Sequence, residues 1–359
     1  MSIVSLTLVL FIYANDASAG KLVSSHTNNK SADEDSQQSL QRFQRAEFTV
    51  DLAAPAYSLL STSIKMGDSG VERTVMFDTS LWYSWMASDE LLTEHGLTAM
   101  PKATGLTVLE ANVCHQYSRY ELTGDWCQVT LQIGQRTQLK KFKMLLVKQS
   151  NLRLKFLEHI KGVLGFAPRE SDENTLMAQT FTRKTGPLYL LISFNIMQHA
   201  RVQYSRISTM DYPADLLIRD RVSNDRWSIH VDLISVGGTI LCAEMCEVSF
   251  ELGSARAYIP EDKRALIAGE WKVPVVEGIM ELQESQLYLY EPLKVTIESL
   301  EFEWSPYQHH FTYTEGDITK YQSTILSHDG TQYALGTDYL RKMYLLFDLN
   351  EKKIRIGAK

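Results

Sequence analysis

The sequence has little cysteine and little proline, and it has no excess of positive charge. Four of its 359 residues are cysteine and nine are proline, and the formal net charge is -7 at pH 7. The negative charge argues against a nucleic-acid partner, because binding to phosphates needs a basic face. The sequence also lacks a His-Glu-x-x-His spacing, a P-loop and a dinucleotide-binding glycine motif. These residues therefore predict neither a metal site nor a cofactor.

Long apolar runs are absent after the first twenty residues, so no later segment predicts a membrane span. Residues 3–13 are nearly all apolar, and Ala17-Ser18-Ala19 supplies the small residues of a cleavage site. We interpret residues 1–19 as a secretory signal peptide, although the positive charge that usually precedes the apolar part is missing. The alternative is an uncleaved membrane anchor, but about 11 apolar residues are few beside the roughly 20 that a span needs.

Residues 20–46 are polar and contain almost no large apolar side chains. Such a composition cannot bury a core, so this segment is predicted to be a flexible leader or a short pro-segment. Together with the signal peptide it indicates a protein that is secreted or lies in the lumen of the secretory or endolysosomal pathway.

The four cysteines are Cys114, Cys127, Cys242 and Cys246. An even number in an oxidising compartment predicts disulfides. Three pairings are possible, and the short spacings favour Cys114 with Cys127 and Cys242 with Cys246. A metal site is the alternative, but no Cys-x-x-Cys or paired-histidine spacing supports it.

Short apolar runs broken by Gly, Asp and Asn predict an all-β architecture. Strand-sized runs lie at 74–77, 129–133, 142–147, 188–194, 229–236 and 344–347. Helices are predicted only at 88–95 and 337–341, the second with Thr337 as a candidate cap.

A faint internal repeat divides the chain. Two apolar residues and an acid at 76–80 are followed, far downstream, by an apolar pair and a glycine at 163–165. A similar pattern recurs at 249–253 and 334–336. A duplicated unit of this size predicts two similar lobes.

Three further stretches carry a resemblance to a known family. The run from Ala334 to Asp348 is similar to Ile-Leu-Gly-Asp-x-Phe-Leu-Arg-x-Tyr-Tyr-x-x-Phe-Asp of the pepsin-like aspartic proteases, and 227–238 resembles their Trp-x-Ile-x-x-Asp…Val-Gly-Gly strand pair. Cys242 to Cys246 matches a short disulfide loop of the same family. The resemblance covers about residues 60–358. It implies an all-β, bilobal fold with two pseudo-symmetric β lobes and a cleft, here with lobes at 47–205 and 206–359.

In that family two Asp-Thr-Gly loops meet in the cleft, and their two carboxylates share a proton to do general acid and base work. The first loop corresponds to Asp78, Thr79 and Ser80, so Asp78 is the expected first catalytic residue and Thr79 and Ser80 border the substrate. A solvated turn aspartate is the alternative, but two apolar residues precede Asp78. Trp85 also falls where the family has a tryptophan after the loop.

The second loop corresponds to Glu251, Leu252, Gly253, Ser254 and Ala255. Glu251 stands at the second catalytic position with one extra methylene, and a displacement of about 1 Å can reduce a rate about 10²-fold. Leu252 replaces the threonine that hydrogen-bonds across the lobes. Leu81 and Ala255 replace hydroxyl residues that orient the carboxylates, and Ser80 replaces a glycine, which we expect to strain the first loop. Gly253 and Ser254 are the expected substrate-binding residues of this loop.

Residues 117–124 resemble the hairpin flap that closes over substrate in the family, with Tyr117 as its tyrosine. The family's tip glycines are replaced by Ser118 and Tyr120, and a Cys114–Cys127 disulfide would join the two arms. The alternative is an ordinary exposed hairpin in which Tyr117 serves packing.

Three functions remain open from the sequence. The first is a pseudoprotease whose cleft binds a peptide or protein without cutting it. The second is an active aspartic endopeptidase with Asp78 and Glu251 as its general acid and base. The third is a secreted scaffold whose cleft is filled by its own side chains, such as Arg119 or Tyr120.

Overall fold

The computed structural model describes residues 5–12, 49–53, 61–98, 103–117, 120–133, 137–152, 154–169, 188–194, 215–315, 317–348 and 351–358. The predicted leader at 20–46 and Arg119 lie outside these residues.

Strands make up most of the regular structure, as predicted. The strands are β1 (Ser5–Ile12), β2 (Thr49–Ala53), β3 (Ser61–Met66), β4 (Val71–Asp78), β5 (Trp85–Ala87), β6 (Thr107–Tyr117), β7 (Tyr120–Ile133), β8 (Thr137–Ser150), β9 (Gly162–Gly165), β10 (Leu188–Phe194), β11 (Leu217–Asp220), β12 (Ser228–Val236), β13 (Thr239–Glu251), β14 (Ala257–Pro260), β15 (Val275–Val276), β16 (Ile279–Leu282), β17 (Leu293–Ile297), β18 (Leu300–Trp304), β19 (His310–Glu315), β20 (Ile318–Ser323), β21 (Ile325–His328), β22 (Tyr333–Gly336), β23 (Met343–Asp348) and β24 (Lys353–Ala358).

The helices are short and lie between strands. They are α1 (Asp89–Glu94), α2 (Leu154–His159), α3 (Glu261–Trp271) and α4 (Thr337–Leu340), with a 3₁₀ helix at Glu284–Gln286. Within the described ranges no helix is long and apolar enough to cross a membrane.

Local sequence explains most of these elements. In β17 the residues Leu293, Val295 and Ile297 are buried and the two between them are half-buried, which is the two-residue period of a strand with one face on the core. Helix α1 lies where the sequence predicts a helix. Its cap is Ser88, whose side-chain oxygen accepts a hydrogen bond from the Leu91 amide at 3.2 Å.

The expectation that Thr337 caps α4 is wrong. Thr337 is the first helical residue, and Gly336 before it has the extended backbone of a cap, with φ -85° and ψ 179°. The Thr337 amide donates to the Ser254 carbonyl at 2.7 Å, so this helix begins against the second candidate-site loop.

The described strands form three sheets. The largest has 13 strands in the order β11-β24-β23-β10-β1-β2-β3-β4-β9-β5-β8-β7-β6, with a further pairing of β3 with β7. A second sheet has the order β18-β17-β12-β13-β22-β14-β21, and a third has β15-β16-β20-β19. Strands β23 and β24, from the end of the chain, join β10 of the first half, so one sheet connects the two halves.

The apolar segment predicted to be part of a signal peptide contributes a strand to this connecting sheet. Strand β1 pairs antiparallel with β2 on one side and β10 on the other, for example Leu8 with Val50 and with Ile192. Cleavage after Ala19 would remove β1 from between its neighbours. The signal peptide stays a prediction.

The two halves repeat one arrangement at their centres. Strand β4 pairs parallel with β9, which places Asp78 opposite Gly165, and β13 pairs parallel with β22, which places Glu251 opposite Gly336. A side chain at either glycine would collide with backbone, since a Cβ would lie 2.2 Å from the Tyr83 carbonyl oxygen at Gly165 and 2.4 Å from that of Arg256 at Gly336. The predicted internal repeat is therefore present, with both acids in equivalent register.

The main apolar core runs through both halves without interruption. Trp227 is 1% exposed, its indole N–H donates to the Phe166 carbonyl at 2.7 Å, and its ring centroid lies 4.7 Å from that of Phe347. A second buried cluster lies in the first half and includes Trp85 and Tyr117. The fold is all-β and bilobal, as the sequence predicts.

The structure contains one of the two expected disulfides. Cys242 is bonded to Cys246, whereas Cys114 and Cys127 are free thiols. The expected Cys114–Cys127 pairing is wrong because of strand register: Cys114 lies opposite Thr123 and Cys127 lies opposite Val108. The four-residue offset from 123 to 127 is about 13 Å along a strand, while a disulfide needs Cα atoms within roughly 7 Å.

We predict two free thiols of unequal reactivity. Ellman's reagent should detect two thiols in the unreduced, unfolded protein, and one that reacts quickly in the folded protein. Cys114 is exposed, whereas burial and the nearby Asp125 charge raise the pKa of Cys127 to about 11, so little of its reactive thiolate exists at pH 8. Cys114→Ser should remove the fast reaction and Cys127→Ser should not. Finding no thiol in the unfolded protein would contradict the prediction.

Candidate active site

The two candidate carboxylates lie at the ends of the central parallel strands. Asp78 is the last residue of β4 and is 2% exposed, and Glu251 is the last residue of β13 and is half-buried. The second loop reaches the first carboxylate, since a Cβ built on Gly253 would lie 2.2 Å from Asp78 Oδ2. A side chain at position 253 would therefore displace the Asp78 carboxylate. The fold brings the two loops predicted from the sequence into one site.

Thr79 joins the two loops directly. Its hydroxyl donates to the Phe250 carbonyl at 2.6 Å and accepts from the Leu252 amide at 2.9 Å. All three residues are buried. Leu252 has no hydroxyl to make the reciprocal bond, as the sequence indicates, and its side chain packs in the core instead. Among the described residues, the side-chain hydrogen bonds between these loops therefore come from Thr79.

Asp78 is surrounded by protein hydrogen-bond donors. Its Oδ1 accepts from the Ser80 amide at 2.7 Å and from the Ser80 hydroxyl at 2.6 Å. The Tyr117 hydroxyl and the Leu81 amide donate to the same carboxylate. Burial raises the pKa of Asp78, and these four donors oppose that rise because they favour the ionised form.

The expectation that Ser80 strains the first loop is wrong. Ser80 is not among the described non-glycine residues with a positive φ, so its backbone conformation suits a side chain. Its hydroxyl provides the bond to Asp78 that Leu81 cannot supply. The substitution at 80 thus compensates for the one at 81.

Glu251 has a different set of neighbours. The Ser249 hydroxyl donates to Glu251 Oε1 at 3.0 Å. Burial raises the pKa of Glu251, and the negative charge of Asp78 raises it further. The Ser249 hydrogen bond and the positive charge of Arg226 lower it. The two acids are thus close enough for the charge of one to influence the protonation of the other.

The predicted flap is a hairpin that lies over Asp78. Tyr117 ends β6, pairs with Tyr120 at the start of β7, and is 7% exposed. Its ring contacts Trp85 edge-on with centroids 5.8 Å apart, and its hydroxyl donates to Asp78. Burial and the Asp78 charge raise the pKa of Tyr117 well above its usual value, so it stays a donor. Tyr120 packs against the second core cluster.

Contacts away from the flap tip stabilise the flap in its position over Asp78. The Tyr83 hydroxyl donates to the Gln116 carbonyl at 2.9 Å. Near the base, buried Asp125 accepts from the Asn112 amide at 3.1 Å and pairs with Lys148 at 2.6 Å. The Lys148 ammonium lowers the pKa of Asp125, so this clamp is charged at neutral pH.

Ser254 serves the structure of its own loop. Its hydroxyl accepts from the Arg256 amide at 3.1 Å and lies 3.3 Å from the Tyr258 hydroxyl. A role in binding substrate stays a prediction for Ser254 and Gly253.

Sequence reasoning missed Ser249 and Tyr83 as parts of the site. Ser249 interrupts an apolar strand two residues before Glu251, which is a signal that could have identified it. Tyr83 carries no such signal, because its contact with the flap depends on the fold. The described residues contain no group of three or more His, Cys, Asp or Glu side chains that could hold a metal ion.

Two β halves that each present an acid at the end of an equivalent parallel strand, below a hairpin flap, define the class of two-lobed acid proteases. A family model for eukaryotic aspartyl proteases matches residues 60–359. The chain belongs to the eukaryotic aspartyl protease family. No curated protein matches it.

We predict that the Thr79 hydroxyl stabilises the junction of the two loops. Thr79→Val should lower the free energy of unfolding by about 2 kcal/mol, because the buried Leu252 amide loses its acceptor. Urea unfolding measures this change. Thr79→Ser is the matched control and should stay close to the wild type. A loss in Thr79→Ser with little change in Thr79→Val would show that the methyl group, and not the hydroxyl, matters.

We predict that Glu251 makes stability depend on pH. Its raised pKa means that the folded protein holds a proton that the unfolded chain releases, so its contribution is present at low pH and is lost as pH rises through the folded pKa. Glu251→Gln cannot titrate. The stability of this variant relative to the wild type should therefore increase between pH 4 and pH 7 in urea unfolding series. A difference that stays constant with pH would contradict the prediction.

Proposed function

We propose that the protein binds an extended peptide or protein segment in the cleft between its halves and does not hydrolyse it efficiently. The observation that carries this proposal is the set of four donors on Asp78. An ionised carboxylate has about four lone-pair sites. The Ser80 amide and hydroxyl both take Oδ1, and hydrogen bonding by the Tyr117 hydroxyl and the Leu81 amide favours the ionised form of the same carboxylate. A general base must instead direct an acceptor at the proton it removes.

The second loop supports the same proposal. Proteolysis in this family needs two carboxylates held in fixed mutual geometry, and small displacements are costly. Here the bond from the second loop back to the first is missing at Leu252. The longer Glu251 side chain is held by Ser249, which precedes it on the strand. The backbone of the cleft persists while the support for chemistry is altered.

A peptide is the ligand that suits this cleft. Extended peptides bind beside strands and hairpins through main-chain hydrogen bonds, and side-chain pockets give specificity. The flap formed by β6 and β7 offers such an edge beside Asp78. Opening it requires the Tyr117 hydroxyl to leave Asp78, so ligand entry and release of this bond are coupled.

We also propose a secreted or lumenal location. The Cys242–Cys246 disulfide fits an oxidising compartment. Members of the family are typically secreted or lysosomal. The apolar N-terminal segment and Ala17-Ser18-Ala19 agree with this route.

An active acid endopeptidase is the second candidate. It is favoured by the raised pKa values of Asp78 and Glu251, since burial raises both and the Asp78 charge raises the second further. Paired acids of this kind can hold one proton between them at mildly acidic pH.

The deciding experiment uses purified full-length protein, with its disulfide intact, and a mixed peptide library from pH 3 to pH 7. Cleavage products are detected by mass spectrometry, with and without pepstatin, and retained peptides are identified after size exclusion. We expect retained peptides and no cleavage. Pepstatin-sensitive cleavage with an acidic optimum would overturn the proposal and establish the second candidate. A folded protein that neither cuts nor retains peptides would support a scaffold whose cleft is closed.

Two variants test which change in the site prevents cleavage. Glu251→Asp restores the shorter acid, and Tyr117→Phe frees one acceptor position on Asp78. We expect detectable cleavage to emerge first when the two changes are combined. Asp78→Asn in the same background is the control and should abolish it.

A further inference from the structure

Ser249 is a buried polar residue in an apolar part of β13. It is 3% exposed, and its neighbours Val248 and Phe250 are each 1% exposed. Its hydroxyl lies 3.0 Å from Glu251 Oε1 and 3.3 Å from the Tyr333 carbonyl oxygen on β22. Burying a hydroxyl is unfavourable unless it is hydrogen-bonded, and its single proton is donated to one of these two acceptors at a time, of which Glu251 Oε1 is the nearer.

The spacing of Ser249 and Glu251 suits a long acid. Residues two apart on a strand lie on the same face. A glutamate side chain can fold back along that face to reach the hydroxyl. An aspartate at 251 would end one carbon–carbon bond earlier, about 1.5 Å, and would fall short of it.

The first half has no hydroxyl at the position equivalent to Ser249. The matched register of the two halves places Met76 where Ser249 stands, two residues before Asp78. Met76 is 1% exposed and has no donor for a carboxylate. Asp78 is held instead by Ser80, two residues after it. Asp78 is therefore held by a hydroxyl from the loop that follows it, and Glu251 is held by a hydroxyl from the strand that precedes it.

We propose that Ser249 is the positioning residue of the second carboxylate. Its hydroxyl holds the longer Glu251 side chain in the cleft and takes the place of the loop hydroxyl that Ala255 cannot supply. The inference rests on the proposed function only in treating the cleft as the functional site. It applies equally to a cleft that binds and to one that cuts.

Other charged or titratable groups also act on Glu251. Asp78 on β4 favours its neutral form, and Arg226, just before β12, favours its charged form. Tyr117 on the flap is coupled to it as well. The Ser249 hydroxyl donates directly to Glu251. Its removal should raise the pKa of Glu251, because the charged carboxylate loses a hydrogen-bond donor and the neutral acid becomes relatively more stable.

The test is the titration of Glu251 in full-length protein labelled with ¹³C at the glutamate carboxyl carbon. Its resonance is assigned by its absence in Glu251→Gln. We expect Ser249→Ala to shift the titration midpoint upward, and Ser249→Thr, which keeps the hydroxyl, to leave it near the wild-type value. Should the alanine variant fail to fold, Ser249→Cys keeps the size with a much weaker donor. An unchanged midpoint in the folded alanine or cysteine variant would overturn the proposal.

A second arm tests the match between Ser249 and side-chain length. In the Glu251→Asp background, with ¹³C at the aspartate carboxyl carbon, Ser249→Ala should leave the titration of residue 251 unmoved. Equal shifts in both backgrounds would mean that Ser249 acts through the general environment and not by holding the glutamate. These titrations need no peptide, so failure of the cleft to bind peptides would refute the proposed function and leave this result standing.

Discussion

The Thr79 hydroxyl is the contact on which the site depends. It accepts from the Leu252 amide and donates to the Phe250 carbonyl, and so fixes the end of β13 relative to the end of β4. This constraint also sets the relative positions of Asp78 and Glu251, because each acid is the last residue of its strand. The same closeness lets Gly253 lie against Asp78, whose carboxylate any side chain at 253 would displace. A single buried hydroxyl therefore sets the geometry of two loops that are far apart in sequence.

The two halves share the backbone of this site more closely than its side chains. The parallel pairings that oppose Asp78 to Gly165 and Glu251 to Gly336 are equivalent, because a glycine is required wherever the neighbouring loop crosses so closely. The side-chain support differs between the halves, because a hydroxyl can reach a carboxylate from several directions. Ser80 holds one acid from the loop, and Ser249 holds the other from the strand.

Burial and hydrogen bonding act against each other at Asp78. Burial favours the protonated acid, whereas four donors favour the carboxylate. The Tyr117 hydroxyl on the flap is one of these donors. The same carboxylate therefore links the flap to the end of β4.

The sequence by itself determined the all-β class, the repeat and the positions of the two acids, because these depend on local periodicity and on motif order. It misjudged what depends on contacts between distant segments. Strand register decided that Cys114 and Cys127 lie too far apart to pair, and no spacing along the chain reveals that offset. Only the tertiary structure showed that Ser80 relieves the loss at Leu81 and that Ser249 reaches Glu251. Hydrogen bonds depend on direction and on distances of about 3 Å, and folding alone sets them.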